Sequence, residues 1–274
     1  TKRLDSDMLE STEHIRVGII EIKDGSTAFD DPENEDEEID ARIITLEDIP
    51  SVELTRLAEV YYALRRNQRL KPSGVASTVA ELADVFRKEG EAILVLAALR
   101  EKDEYTFTHA TNVCILTMAQ AISLGIEGQS LNDIGISAIL HDIGKMFIPE
   151  EILLKPDKLT EEEFGLMKLH PVKGCRYLLE TPGVPKLAAI VAYEHHMNND
   201  LSGYPKAPAD WQMNLASQLT AISDIFDAMR TKRPYKAPWQ TRDIANLLLY
   251  KSHKEFNPLL VRNFIGIIKR IGMT

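Results

Sequence analysis

The sequence is short of cysteine, of long apolar runs and of basic residues, and each shortage excludes a class of protein. Two cysteines, Cys114 and Cys175, in 274 residues cannot staple a disulfide scaffold. Both lie among apolar neighbours, which reads as buried thiols in a reducing compartment. The longest unbroken apolar run, Ala92 to Leu99, is eight residues, far below the roughly 18 to 20 needed to cross a bilayer. The stretch Thr1 to Glu10 is largely polar and lacks the apolar centre of a secretory leader, so a cytoplasmic location is expected. With 14 Gly and 13 Pro the chain is neither collagen-like nor of low complexity.

Bases are outnumbered, 32 Lys and Arg against 42 Asp and Glu, for a net charge of -10. That balance argues against a nucleic-acid polymer as partner. The acidity is concentrated in Asp30 to Asp40, which holds eight acids and no base and reads as a solvated loop.

At 274 residues the chain exceeds one typical domain of roughly 150. Residues 1–75 are expected to form a small α+β module of regulatory or dimerising character, through which protein partners would act. Its β-like runs are Arg16–Ile22 and Ala41–Thr45, and its helix carries the stripe Leu54, Leu57, Tyr61 and Leu64. Residues 76–274 read as almost wholly helical. Lys71–Gly74 is taken as a break, and Thr78 and Glu81 as a capping box opening the next helix. Further helices are expected at 91–100, 104–124, 131–143, 160–180, 185–196, 214–231, 241–250 and 259–270, the one from 160 opened by a second capping box, Thr160 with Glu163.

Five of the seven histidines fall between residues 109 and 196. They are accompanied by the doublet His141-Asp142 and by Asp224, a carboxylate in an apolar stretch that asks for a cation. The steps from His109 to His141, Asp142 to His170, His170 to His195 and His196 to Asp224 are 32, 28, 25 and 28 residues, each about one helix and its connection. Ligands would thus converge from different helices of a bundle. Imidazole with carboxylate suits iron, manganese or zinc, and one bridging Asp suggests two metals of the kind that activate water and clamp a phosphoryl group. His14 and His253 lie outside this constellation.

His141-Asp-Ile-Gly-Lys145 resembles the HDxGK signature of the HD phosphohydrolase superfamily, and His195-His-Met-Asn-Asn-Asp-Leu-Ser-Gly-Tyr-Pro205 resembles the HHExxDGSGYP signature of its HD-GYP subgroup. His170-Pro-Val-Lys-Gly174 is similar to its HPxxG element, Asp224-Ile-Phe-Asp-Ala228 to DxFDA, and Arg233-Pro-Tyr-Lys236 to RPYR/K. The resemblance spans about residues 105–270 and implies a mainly α fold, an HD-type antiparallel helical bundle. It also implies hydrolysis of cyclic di-GMP to the linear dinucleotide, and on to GMP, through a metal-activated water. By position, His109, His141, Asp142 and Asp224 would hold one metal and Asp142, His170 and His195 the other, with His196 at an optional third site or behind the ligands. The ions would be divalent, iron with manganese as the alternative. Lys145 would act with Asp142 in catalysis, and Tyr204, Asp200, Arg233 and Lys236 would bind substrate. In the loop Ser202–Pro205, Gly203 would take a positive φ.

The sequence departs from the family pattern at four places. The Glu that three-metal members place four residues before the first ligand histidine is Tyr105, with Glu104 one residue off, so two metals are expected. The Glu after the histidine pair is Met197, a Gly of the second motif is Leu201, and an arginine farther on is Gln218. Two alternatives to the phosphodiesterase follow: an inactive cyclic di-GMP sensor or interaction module, favoured by those replacements, and an HD hydrolase for another nucleotide.

Overall fold

The computed structural model of the protein describes residues 70–89, 105–230 and 239–270. The two β-like runs, the acidic loop, the helix expected at 91–100, Glu104, and Arg233 with Lys236 lie outside the described residues. Within them the chain is helical, and the one β-type pairing is a bridge between Ser252 and Phe256.

Helix α1 spans Pro72–Glu89. It begins at Pro72, where the fixed φ suits a first turn and the missing N–H would lack a partner anyway. Val75, Val79, Leu82 and Ala83 form its buried stripe. The capping box expected at Thr78 is not formed. Thr78 sits inside the helix, where its hydroxyl donates to the Gly74 carbonyl at 3.1 Å, a bond open to any mid-helix Thr.

Helix α2, Tyr105–Ser123, is buried on nearly all sides from Thr108 to Ala121, as befits the central element of a bundle. Helix α3, Gly128–Ile139, ends before the sequence pattern suggested, so that His141 and Asp142 occupy the turn that leads into a short 3₁₀ segment, Ile143–Phe147. Next come α4, Glu150–Leu153, and α5, Glu161–Met167, the latter opened by the expected box: Glu163 N–H donates to Thr160 Oγ1 at 3.2 Å and Thr160 N–H to Glu163 Oε2 at 2.7 Å. The single helix expected over 160–180 is two. Pro171 has no N–H to donate back to the Met167 carbonyl, which lies 2.9 Å from His170 Nδ1 instead, and α6 starts anew at His170–Leu179 with Pro171 in its first turn.

Helices α7, Lys186–Glu194, α8, Leu215–Arg230, α9, Thr241–Lys251, and α10, Pro258–Arg270, complete the described bundle. Helix α2 packs against α3 and α8, α6 against α7 and the 3₁₀ segment, and α7 against α3. Phe226 and Phe264 meet edge to face at 5.0 Å in the core, each such side chain contributing about 2 kcal/mol or more by leaving water. Between α2 and α8 the packing is also polar. Thr117 Oγ1 donates to Ser223 Oγ at 3.0 Å, and Gln120 Nε2 donates to Ser223 Oγ and the Leu219 carbonyl at 2.9 and 3.0 Å.

Candidate metal centre

The residues singled out in the sequence gather at one end of this bundle. His109 comes from α2, His141 and Asp142 from the turn after α3, His170 from the start of α6, His195 and His196 from the end of α7, and Asp224 from α8. Their donor atoms form two groups that share Asp142. In one, atoms of His109, His141 and Asp142 lie within 4.8 Å of one another, and in the other those of Asp142, His170, His195 and His196 do so. Asp142 Oδ1 stands 3.2 Å from His170 Nε2 and 3.6 Å from His195 Nε2, while Oδ2 stands 3.3 Å from His141 Nε2. Asp224 Oδ1 stands 3.1 Å from His109 Nε2.

Backbone carbonyls fix the imidazoles. His141 Nδ1 is 2.7 Å from the Ala138 carbonyl, His170 Nδ1 is 2.9 Å from that of Met167, and His195 Nδ1 is 3.0 Å from that of Ala192. Each Nδ1–H therefore donates outward, and each Nε2 lone pair faces the centre, the arrangement of a metal-binding histidine. His170 Nε2 and His195 Nε2 then approach to 3.2 Å. His141 Nε2 and Asp142 Oδ1 are buried with no hydrogen-bond partner. Buried orphans of this kind, converging from imidazole and carboxylate, fit divalent cations.

His109 differs in having a carboxylate at both nitrogens. Its Nδ1 is 2.8 Å from Asp227 Oδ2, and Asn112 Nδ2 donates to Asp227 Oδ1 at 2.8 Å. Burial pulls the His109 pKa down, but Asp224 and Asp227 outweigh it and raise it to about 9. The same pairing outweighs burial at Asp224 and holds it well below the usual carboxylate range. At Asp142 burial is overcome by Lys145, whose ammonium donates to Oδ2, and by His141 and His170, so its pKa also lies well below normal. Burial lowers His195 to about 4 and drives His196 far down, so both are neutral donors at physiological pH.

Asp227 stands in the DxFDA-like segment, but the sequence assigns it no role. It lies one helical turn beyond Asp224, wholly buried, and its spacing was the available signal, because i and i+3 share a helix face. Glu194 is a second such residue. Burial raises its pKa, and it accepts from Trp211 Nε1 at 2.8 Å and Asn214 N–H at 2.9 Å, tying the approach to α8 onto the end of α7 beside His195.

Two glycines let the backbones close. A Cβ on Gly144 would stand 1.9 Å from the His170 carbonyl oxygen, and one on Gly174 would stand 3.0 Å from Gly144 N. In the following loop a Cβ on Gly203 would stand 2.2 Å from the His196 carbonyl. Close approach, not a positive φ, is what Gly203 supplies. The left-handed conformation falls on Leu201, at φ 61°, because the chain must reverse there for Tyr204 N–H to donate to the His196 carbonyl at 3.1 Å. Tyr204 lays its ring against His196, centroids 4.8 Å apart, and burial, then Asp142 and Asp224, push its phenol up, so it remains a donor. Asp200 turns its carboxylate onto Ser202 N–H at 2.9 Å, shaping the loop.

Met197 and Gln218, two of the departures at charged positions of the family pattern, line one small cavity together with Met213 and Phe256. Met197 is buried. Among the described residues no helix is long and apolar enough to cross a membrane.

Residues 94–258 match the HD domain family. A cyclic di-GMP phosphodiesterase of Pseudomonas aeruginosa is 36% identical over 205 residues, covering 74% of this chain and 49% of that protein. Another from Thermotoga maritima is 35% identical over 236 residues, covering 81% of this chain and 64% of that one. The chain thus spans between about half and two thirds of these relatives' length. Among solved structures, Bd1817, an HDG"Y"P protein from Bdellovibrio bacteriovorus, shares the fold at a TM-score of 0.63 with 18% identity, over 88% of this chain and 75% of that one.

Proposed function

We propose, from the premise that this chain belongs to the HD domain family and to its HD-GYP branch, that it is a phosphodiesterase cleaving cyclic di-GMP to the linear dinucleotide. The observation that carries the reading is the placement of Asp142 between two sets of imidazoles with Lys145 upon it. His109, His141, Asp142 and Asp224 would hold one divalent ion and Asp142, His170 and His195 a second, iron or manganese, with His196 behind them. Such ions supply Lewis acidity, which acidifies water and offsets phosphate charge.

The chain's own groups do the rest. Lys145 presents an ammonium at the mouth of the centre, where a phosphodiester oxygen would exchange for Asp142 as its partner. Tyr204 offers a protonated phenol from the neighbouring loop, and Asp200 keeps that loop in shape. Arg233 and Lys236 would grip the second phosphate. Asp227 orients His109, and the backbone carbonyls orient the other imidazoles, so the donors are set before substrate arrives.

The inactive-sensor reading leaned on Met197, Leu201 and Gln218. Met197 and Gln218 share a cavity wall, and Leu201 acts on loop conformation, so these replacements bear on packing more than on the donors. The test is anaerobic turnover of cyclic di-GMP after loading with Fe(II) or Mn(II), with metal content measured and Asp142→Ala alongside. Linear product from the wild type and none from the variant is expected. Two ions per chain with no cleavage would overturn the activity in favour of a sensor.

A further inference from the structure

Helix α5 has seven residues and none of them is buried. A helix so short is marginal alone, so contacts must hold it where it is. Its first turn is held by the Thr160 box and by Lys155, whose ammonium lies 2.6 Å from Glu163 Oε2. Among the described residues its aromatic contact is with the loop that carries Tyr204. Phe164, 44% exposed, meets Tyr204 edge to face with centroids 6.5 Å apart and planes at 80°. Tyr204 in turn lies 4.8 Å from the His196 ring and 6.5 Å from that of His170. Lys168, just past the end of the helix, sets its ammonium 4.4 Å from the Phe164 centroid and 5.7 Å from that of Tyr204.

A solvent-facing phenyl ring beside a phosphate-handling centre, backed by a tyrosine and flanked by an ammonium, matches what a nucleobase needs. Bases stack on aromatic side chains whatever their identity. The Lys168 ammonium lies over the Phe164 ring, and on turning to the edge of a base stacked there it adds identity, because guanine offers two acceptors, O6 and N7, where adenine offers N7 beside an amino donor. We propose that Phe164 and Lys168, with Tyr204, form the subsite that seats one guanine of the substrate, Phe164 supplying the stack and Lys168 the preference for guanine. This rests on the phosphodiesterase reading and names its specificity element. Both side chains are exposed, so replacing them leaves the buried core untouched.

The test is equilibrium binding of cyclic di-GMP and cyclic di-AMP to the Mn(II)-loaded full chain, together with kcat and KM for cyclic di-GMP. Phe164→Ala is expected to weaken binding and raise KM about tenfold or more, with kcat nearly unchanged and Phe164→Trp restoring affinity. Lys168→Met, which keeps the aliphatic stem, is expected to reduce the preference for cyclic di-GMP over cyclic di-AMP by about tenfold. Wild-type-like KM and affinity in Phe164→Ala would overturn the subsite while turnover left the phosphodiesterase standing. Binding that depends on Phe164 without cleavage would keep the subsite and overturn the activity. A wild type that neither binds nor cleaves the nucleotide would overturn both.

Discussion

Gly144 and Gly174 stand backbone against backbone, one in the 3₁₀ segment that follows Asp142 and the other one turn into α6 from His170. With a Cβ on Gly144 lying 1.9 Å from the His170 carbonyl, no rotamer change relieves the clash, since the obstacle is main chain. The pairing fixes how near Asp142 comes to His170.

Gly144→Ala is therefore expected to destabilise the protein by about 2 to 3 kcal/mol, as overpacking of a rigid contact does, and to reduce metal content. Gly165→Ala is the control. A Cβ there meets nothing within 4 Å, and removing a mid-helix glycine gains about 0.5 to 1 kcal/mol. Urea denaturation of the two variants separates the cases.

Met197 and Gln218 share a cavity wall, so their effects should be coupled. Met197→Glu alone buries an unpaired carboxylate and is expected to be destabilising by about 3 kcal/mol or more. Adding Gln218→Arg should recover at least half of that loss. A double-mutant cycle measures the coupling, and strict additivity would show that the two positions do not face each other.

Leu201 holds φ 61°, which is unfavourable by about 1 to 2 kcal/mol for a residue with a Cβ. Leu201→Gly should relieve that strain, offset by the greater freedom of glycine in the unfolded chain. A net gain of about 0.5 kcal/mol is expected, visible as a small rise in Tm with the fold unchanged.

Chelator-treated protein should be most stable near neutral pH. Burial pulls His109 down, but its two carboxylates raise it from 6.5 to about 9. Its contribution, about 3 kcal/mol, is complete below the unfolded value and disappears as pH rises through about 9. His195, lowered by burial to about 4, acts in the other direction, and its contribution is lost as pH falls from 6.5 towards 4. Differential scanning at a series of pH values should show both limbs. Asp227→Asn should bring the alkaline limb to lower pH, and a limb that does not move would remove Asp227 from the pairing.

How far the sequence reveals this architecture depends on the range of the interaction involved. The box of Thr160 with Glu163 was legible because its partners are three residues apart and compete with nothing. The same signal at Thr78 misled, since Pro72 had already started the helix. The bend at Lys168 and Leu169 was hidden inside one continuous amphipathic pattern, though Pro171 marked it. The histidines and Asp142 were legible as an excess of one residue type at helix-length spacing. Asp227, Glu194 and Phe164 were not, because what each does is defined by a neighbour from another helix: His109 on α2, Asn214 before α8, Tyr204 in its loop.

The polar bonds joining α2 to α8 bear on how this protein could be rebuilt. Apolar side chains can repack in more than one way, but Thr117, Gln120 and Asn112 each pair with a particular group on Ser223, Leu219 or Asp227. A shift of α8 by one turn, about 5.4 Å, would break all of these bonds at once and carry Asp224 away from His109. The two helices behave as a keyed pair with one permitted alignment. A chimera that exchanges α8 with a relative must take α2 from the same source, or the key and its slots will belong to different locks.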